Sequence, residues 1–148
     1  MNDLVERLLG EQNECTLCWV TNDGRPAATT VSFVHLDGDI WMTALETSAR
    51  VHALRRNPNA TVVISGKGSN VGHSRCVSMQ GICEITANKD VRDRFFPAFA
   101  SVVLPDSKAG ATMMANGMNS PENLVLIFKA TKVMPYDAQA ALDRANSL

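Results

Sequence analysis

This sequence holds no uninterrupted apolar run of the roughly 18 residues that a membrane-spanning helix needs. It also lacks a surplus of charge: Lys plus Arg is 14, Asp plus Glu is 15, and the net charge is −1. A global basic footprint for nucleic acid is therefore excluded. The opening Met1-Asn2-Asp3-Leu4-Val5-Glu6-Arg7 is too acidic for a secretory or organellar leader. The expected compartment is the cytoplasm, where thiols stay reduced. Neither an internal repeat nor an interdomain linker breaks the 148 residues, so a single domain over residues 1–148 is expected. Apolar residues at 45% and charged residues at 20% are ordinary for a soluble globule.

The most informative absence is local. Residues 47–83 contain five basic residues (Arg50, Arg55, Arg56, Lys67, Arg75) and no carboxylate, for a net charge of +5. Residues 1–46 are the reverse, with eight acids against Arg7 and Arg25. A zone cleared of carboxylates marks a place where something anionic sits.

Metal-ligand spacing is missing as well. Cys15 and Cys18 form a Cys-x-x-Cys pair, but Cys76 and Cys83 lie seven positions apart and offer no second one. The stretch around Cys15 reads as a strand, where residues three apart point to opposite faces. Buried structural cysteines are the expectation. His35, His52 and His73 are scattered without ligand spacing, so no metal site is expected.

What is present alternates in a β manner. A short helix over 2–12 precedes strands at Cys15–Thr21, Ala27–Leu36 and Ile40–Ala44. The turns Asn22–Pro26 and Asp37–Asp39 join them into an antiparallel meander. A helix over about 48–57 ends at Asn57-Pro58. Strands follow at Ala60–Ser65 and Cys76–Ala87, the latter with Gly81 as a bulge or bend. Asp90–Phe99 reads as a helix limited by Pro97, and Leu104–Ser120 as an irregular connection. A last strand at Asn123–Val133 is apolar on both faces, and a helix covers Asp137–Asn146. The fold class is thus mainly β: a six-stranded antiparallel barrel with peripheral helices. Its two-sided apolar strands in so small a chain suggest a dimer.

The chemistry concentrates at Thr43–Pro58. A strand ends and a helix begins at Thr47 or Ser48, presenting unpaired backbone N–H groups and the positive end of the helix dipole. Ser48 adds a hydroxyl and Arg50 a bidentate cation, which together make a phosphate site. A capped surface helix with a solvated basic face is the simpler reading of the same residues.

The order Gly24-Arg25-Pro26, Val31-Ser32-Phe33, Asp37-Gly38-Asp39-Ile40-Trp41-Met42-Thr43, Ser48-Ala49-Arg50 and Leu54-Arg55-Arg56-Asn57-Pro58 resembles the pyridoxamine 5'-phosphate oxidase-like family. These are FMN-binding split β-barrels. Val77–Ile85 is similar to the family's next strand, and Ser120-Pro121 with Leu124–Ile127 to its last. The resemblance implies a homodimer with flavin sites at the subunit interface. It implies that Thr47, Ser48, Ala49 and Arg50 hold the FMN phosphate. Thr30, Val31 and Ser32 would run beside the ring and ribityl chain, Thr43 and Ala44 would contact the flavin, and Arg75 and Cys76 would come from the second subunit. Many members carry two adjacent cations after the serine, whereas this chain has Ala49 and keeps Arg50. One lost charge-assisted contact costs about 1.5–3 kcal/mol if unreplaced.

Val91–Pro97 and Gln139–Asn146 do not match the substrate-binding segments of true pyridoxamine phosphate oxidases, so that reaction is not expected. The expected function is an FMN-dependent oxidoreductase acting on an unknown small molecule. A deazaflavin or haem in the same fold, or a non-enzymatic flavin-binding stress or sensor protein, are the alternatives.

Overall fold

A computed structural model describes residues 2–148. Helix α1 (Asp3–Glu11) starts where Asn2 Oδ1 accepts the Leu4 N–H at 2.8 Å, which satisfies one of the helix's orphan donors. Strands β1 (Glu14–Val20) and β2 (Pro26–Ser32) form a hairpin whose turn uses Gly24 at φ 82°. Strands β3 (Val34–Leu36) and β4 (Asp39–Leu45) form a second one, across Asp37 at φ 55° and Gly38 at φ 81°. Two successive positive φ values give the tight turn whose twist matches the flanking strands.

The expected strand over Ala27–Leu36 is therefore two strands, and the sheet has seven rather than six. Its break is Phe33, whose side chain is buried and whose N–H donates to Asn13 O at 2.9 Å. Before it the chain pairs with β1, and after it with β4.

Helix α2 (Ala49–Arg56), β5 (Asn59–Ser65) and β6 (Arg75–Thr86) follow, then α3 (Lys89–Val103), α4 (Lys108–Met118), β7 (Asn123–Asp137) and α5 (Gln139–Asn146). All pairings are antiparallel, in the order β2-β1-β5-β6-β7-β4-β3. The sheet curls into a split barrel.

Three expectations at the C-terminal end change. Helix α3 runs on through Pro97 to Val103, because Phe95, Phe96 and Phe99 on either side of the proline are buried. The connection 104–120 contains α4, capped by Ser107, whose Oγ accepts the Gly110 N–H at 3.0 Å. Strand β7 continues past Val133 to Asp137, held by β6 along its length, and α5 starts two residues later than expected.

Two apolar clusters lie on opposite sides of the sheet. The barrel interior holds Leu17, Phe33, Met42, Val62, Ile64, Val77, Met79, Leu124, Leu126 and Phe128, with Val5 and Leu8 from α1 and Val51 and Leu54 from α2. The outer cluster packs α3 and α4 on Val34, Trp41, Val125 and Ile127. Strand β7 is thus apolar on both faces because it is a wall shared by both clusters. Arg94 of α3 pins the second hairpin from outside: it pairs with Asp37 and lies over the Trp41 ring at 5.4 Å. The outer faces of β1, β2, β5 and the first half of β6 carry no such helical layer, since α1 and α2 belong to the interior cluster.

The four cysteines are free, and Cys15 is buried while Cys18 is half-buried, as alternation along β1 requires. Burial pushes the Cys15 and Cys83 thiols up to about 12, helped by the negative charges of Glu14 and Glu84.

Two predictions follow from this architecture. Iodoacetamide at about pH 8.5 should label the half-buried Cys18 and Cys76 before Cys15 and Cys83, because burial keeps the latter two as unreactive thiols. Peptide mass mapping that finds Cys15 labelled as fast as Cys76 contradicts this burial. At Gly81 an added Cβ would come within 2.1 Å of Lys129 O, where the β6–β7 register shifts between Gln80 and Gly81. Gly81→Val should cost about 1–3 kcal/mol in urea unfolding, as overpacking does. An unchanged midpoint would show that the bulge yields freely.

Candidate functional site

The site is assembled at the exit of β4. Alternation sends Ile40, Met42 and Ala44 into the barrel and leaves Trp41 and Thr43 on the outer side. Thr43 Oγ1 donates to Leu124 O at 2.8 Å, which ties the strand end to β7. The chain then turns through Glu46 and Thr47, both exposed, with Glu46 N–H donating to Glu122 O at 2.9 Å.

Ser48 is the N-cap of α2 in extended conformation, yet its side chain makes no capping bond. Its Oγ is buried and without a hydrogen-bond partner among the described residues. The same holds for Arg50 Nε, while Arg50 Nη2 donates to Thr43 O at 3.4 Å. So the guanidinium reaches back to the end of β4, and the first turn of α2 holds two buried polar atoms without a hydrogen-bond partner among the described residues. Buried donors left unpaired are costly, and an anion that accepts from both removes the cost. The helix dipole and the free N–H groups of the first turn add to the same attraction. These residues therefore fit a phosphate group. Ala49 is exposed and adds no polar group. Arg55 and Arg56 are exposed in the last turn of α2, where they complement the helix dipole instead of joining the cradle.

The other expected residues are distributed as follows. Thr30 and Ser32 lie on the outer face of β2, and Thr30 borders an open cleft of about 400 Å³ with Thr16, Val63 and Lys67. Val31 packs on the interior cluster and Ala44 is part of it, so toward an outer ligand both offer only backbone atoms. Ser32 pairs with Glu14 of β1 and Thr43 with Val125 of β7, so the two lie on strands that are not neighbours in the sheet. Thr43, Ser48 and Arg50 form one group at the β4–α2 junction, and Thr30 and Ser32 lie apart from it on β2.

Arg75 and Cys76 belong to another. Thr43 is level with Val125, and Val125 with Thr86, at the far end of β6. From Thr86 to Arg75 is about 36 Å of strand at roughly 3.3 Å per residue. Arg75 is engaged there with Asp137 at 3.1 Å and with Val71 O at 3.2 Å. Within one chain these two residues do not join the Ser48–Arg50 group.

One polar group near the site was not foreseen. Trp41 Nε1 is buried without a partner among the described residues. It sits on the same outer face of β4 as Thr43, under Arg94. Its sequence neighbourhood carries no signal for this, because a tryptophan in a strand reads as packing.

Comparison with known proteins agrees with this fold. The pyridoxamine 5'-phosphate oxidase family profile matches residues 1–134. No curated protein matches the sequence. Among solved structures, a conserved hypothetical protein of Mycobacterium tuberculosis superposes with a TM-score of 0.79 at 19% identity, over 93% of this chain and 85% of that one. A structure titled F420 reductase gives 0.67 at 15% identity, over 87% and 94%. An FAD-binding protein of Mesorhizobium loti gives 0.64 at 16% identity, over 91% and 94%. At these identities the likeness establishes the split-barrel fold, and the profile match over most of the length establishes the family: the chain belongs to the pyridoxamine 5'-phosphate oxidase family.

Proposed function

We propose that this chain binds FMN at the start of α2 and acts as an FMN-dependent oxidoreductase on a small molecule other than pyridoxamine phosphate. The observation that carries the reading is the pair of buried, unpartnered donors, Ser48 Oγ and Arg50 Nε, at a helix N-terminus. Their chemistry suits a terminal phosphate, and the family membership supplies the flavin. Flavin names among the structural neighbours point the same way.

In this reading Ser48, Arg50 and the N–H groups next to Thr47 and Ala49 hold the phosphate. Thr30, Ser32 and Thr43 line the ring and ribityl chain, with backbone from Val31 and Ala44. A bound flavin supplies hydride transfer at its N5. The protein's part is to bind, orient and shield it, and no side chain of the cradle is needed as acid or base. The substrate is a small molecule; neither nucleic acid nor a membrane is a partner in this reading, and the cytoplasm is the compartment. No helix of the described residues is long and apolar enough to cross a bilayer.

The chain works as a homodimer here. The fold is commonly dimeric in this family. The outer faces of β1, β5 and β6 carry open clefts, one of about 430 Å³ lined by Cys18, Val20, Thr61, Gln80 and Ile82. A second copy covering them would bring its Arg75 and Cys76 to the first copy's flavin. A deazaflavin fits the same phosphate cradle and is the second reading, favoured by the neighbour titled F420 reductase.

The purified protein should show oxidised-flavin absorption, or acquire it with FMN. A deazaflavin spectrum would select the second reading, a sharp Soret band would replace both with haem, and a colourless protein that ignores added FMN would defeat the first. A bound flavin with no turnover of any reductant or acceptor would leave a storage or sensor role. Arg50→Ala should weaken FMN about 10–150-fold and Ser48→Ala several-fold, from charged and neutral hydrogen bonds worth about 1.5–3 and about 1 kcal/mol. Fluorescence titration returning wild-type affinity for Arg50→Ala removes the phosphate assignment. Sedimentation at micromolar concentration should give twice the 16.0 kDa chain mass, and a monomer there refutes the dimer.

A further inference from the structure

The cleft that Thr30 borders lies away from the phosphate cradle, and its chemistry differs. It holds about 400 Å³ where β1 begins and β5 ends. Glu14 lines it from β1, and Lys67 lines it from the loop after β5. Both residues are exposed, and neither has an ion-pair partner among the described residues. Thr16 and Thr30 face each other across the β1–β2 pairing and supply two hydroxyls to the same cleft. An anion and a cation thus border one small space without neutralising each other.

The backbone that carries them is held in place. Gln12 Nε2 donates to Ser65 O at 2.6 Å and to Lys67 O at 3.0 Å. A side chain two residues before Glu14 therefore fixes the main chain at Lys67. Ser65 Oγ accepts the Lys67 N–H at 3.1 Å. Gly66 packs so closely on Gly72 O that a Cβ would stand 2.2 Å from it. The two charged residues share one frame, so a ligand has only their side-chain torsions left to order.

A simple anion entering this cleft gains from Lys67 and loses to Glu14, and a simple cation does the reverse. A molecule that carries both signs gains from both. The threonine hydroxyls donate and accept, so they serve either end of it. We propose that this cleft binds a small zwitterion, an amino-acid-like molecule whose ammonium group pairs with Glu14 and whose carboxylate pairs with Lys67. The cradle at α2 offers no counterpart to Glu14 among its buried polar atoms, Ser48 Oγ and Arg50 Nε. Thr30 also belongs to the proposed flavin surroundings, but zwitterion binding needs no flavin and is tested without one.

Amide NMR shifts recorded during titration, without FMN and at low ionic strength, provide the test. The probes are 4-aminobutyrate and 6-aminohexanoate, with butyrate and butylamine as single-charge controls. At least one zwitterion should shift Thr16, Thr30 and Lys67 saturably. It should bind about fivefold or more tighter than either control, as one additional exposed ion pair allows. Added salt should weaken it. Glu14→Gln and Lys67→Met should each bring the zwitterion down to the level of the controls. Exchanging the charges, Glu14→Lys together with Lys67→Glu, should restore its binding. Both residues are exposed, so these variants should melt as the wild type does. The absence of a saturable shift, shifts confined to other residues, or equal binding of zwitterions and controls would overturn the proposal. Wild-type affinity in either single variant, or no recovery in the charge-exchanged protein, would also reject it.

Discussion

Strand β7 is hydrogen-bonded on both edges, to β4 along residues 123–128 and to β6 along nearly its whole length. Every other placement depends on that double pairing. It fixes Thr43 level with Val125 and Thr86, and Thr43 in turn offers its carbonyl to Arg50. It also carries the chain outward to Asp137, where the ion pair with Arg75 roots α5. Buried on both faces from Leu124 to Phe128, the strand cannot slip by one residue without exchanging the interior set for the outer one. The bulge at Gln80/Gly81 is the single register shift in this pairing, and it falls after the double-buried part ends.

The cradle gains its character from what is withheld. A helix start always offers N–H groups, but at α2 the capping hydroxyl is left unused and the one nearby guanidinium keeps a free Nε. Both donors are buried, where hydrogen bonds to charge count for more than in water. With Ala49 in place of a second cation, the proposed site would rely on a single fixed positive charge plus the dipole. That is a modest field, and carboxylates close by in the chain would cancel much of it. Their absence from residues 47–83 is consistent with that sensitivity.

Much of this was legible before any coordinates. Asp37-Gly38 announces a turn because both positions need positive φ, and Gly81 announces a bulge because no Cβ fits against Lys129 O. The start of α2 was legible because Ser48 can cap a helix that Asn57-Pro58 ends. The break at Phe33 was missed although the apolar parity switches there, from Val31 and Phe33 to Val34 and Leu36, because an unbroken run rich in Thr, Val and Phe reads as one strand. Pro97 misled in the other direction. It removes one helical hydrogen bond, but three buried phenylalanines around it outweigh that loss. Helix α4 was hidden by its Gly and Met content, as helix propensity says little once Ala111 and Ala115 are packed against α3. That Val31 and Ala44 turn inward follows from strand parity, which a motif match does not register.

Trp41 and Met42 sit next to each other on β4 and belong to different clusters. The α3–α4 layer and the barrel interior thus share walls but not contents. Insertions, repacking or wholesale exchange of the outer layer need not disturb the residues that shape the cradle from within. Such a layout lets a lineage diversify one side of the molecule while the other is held constant.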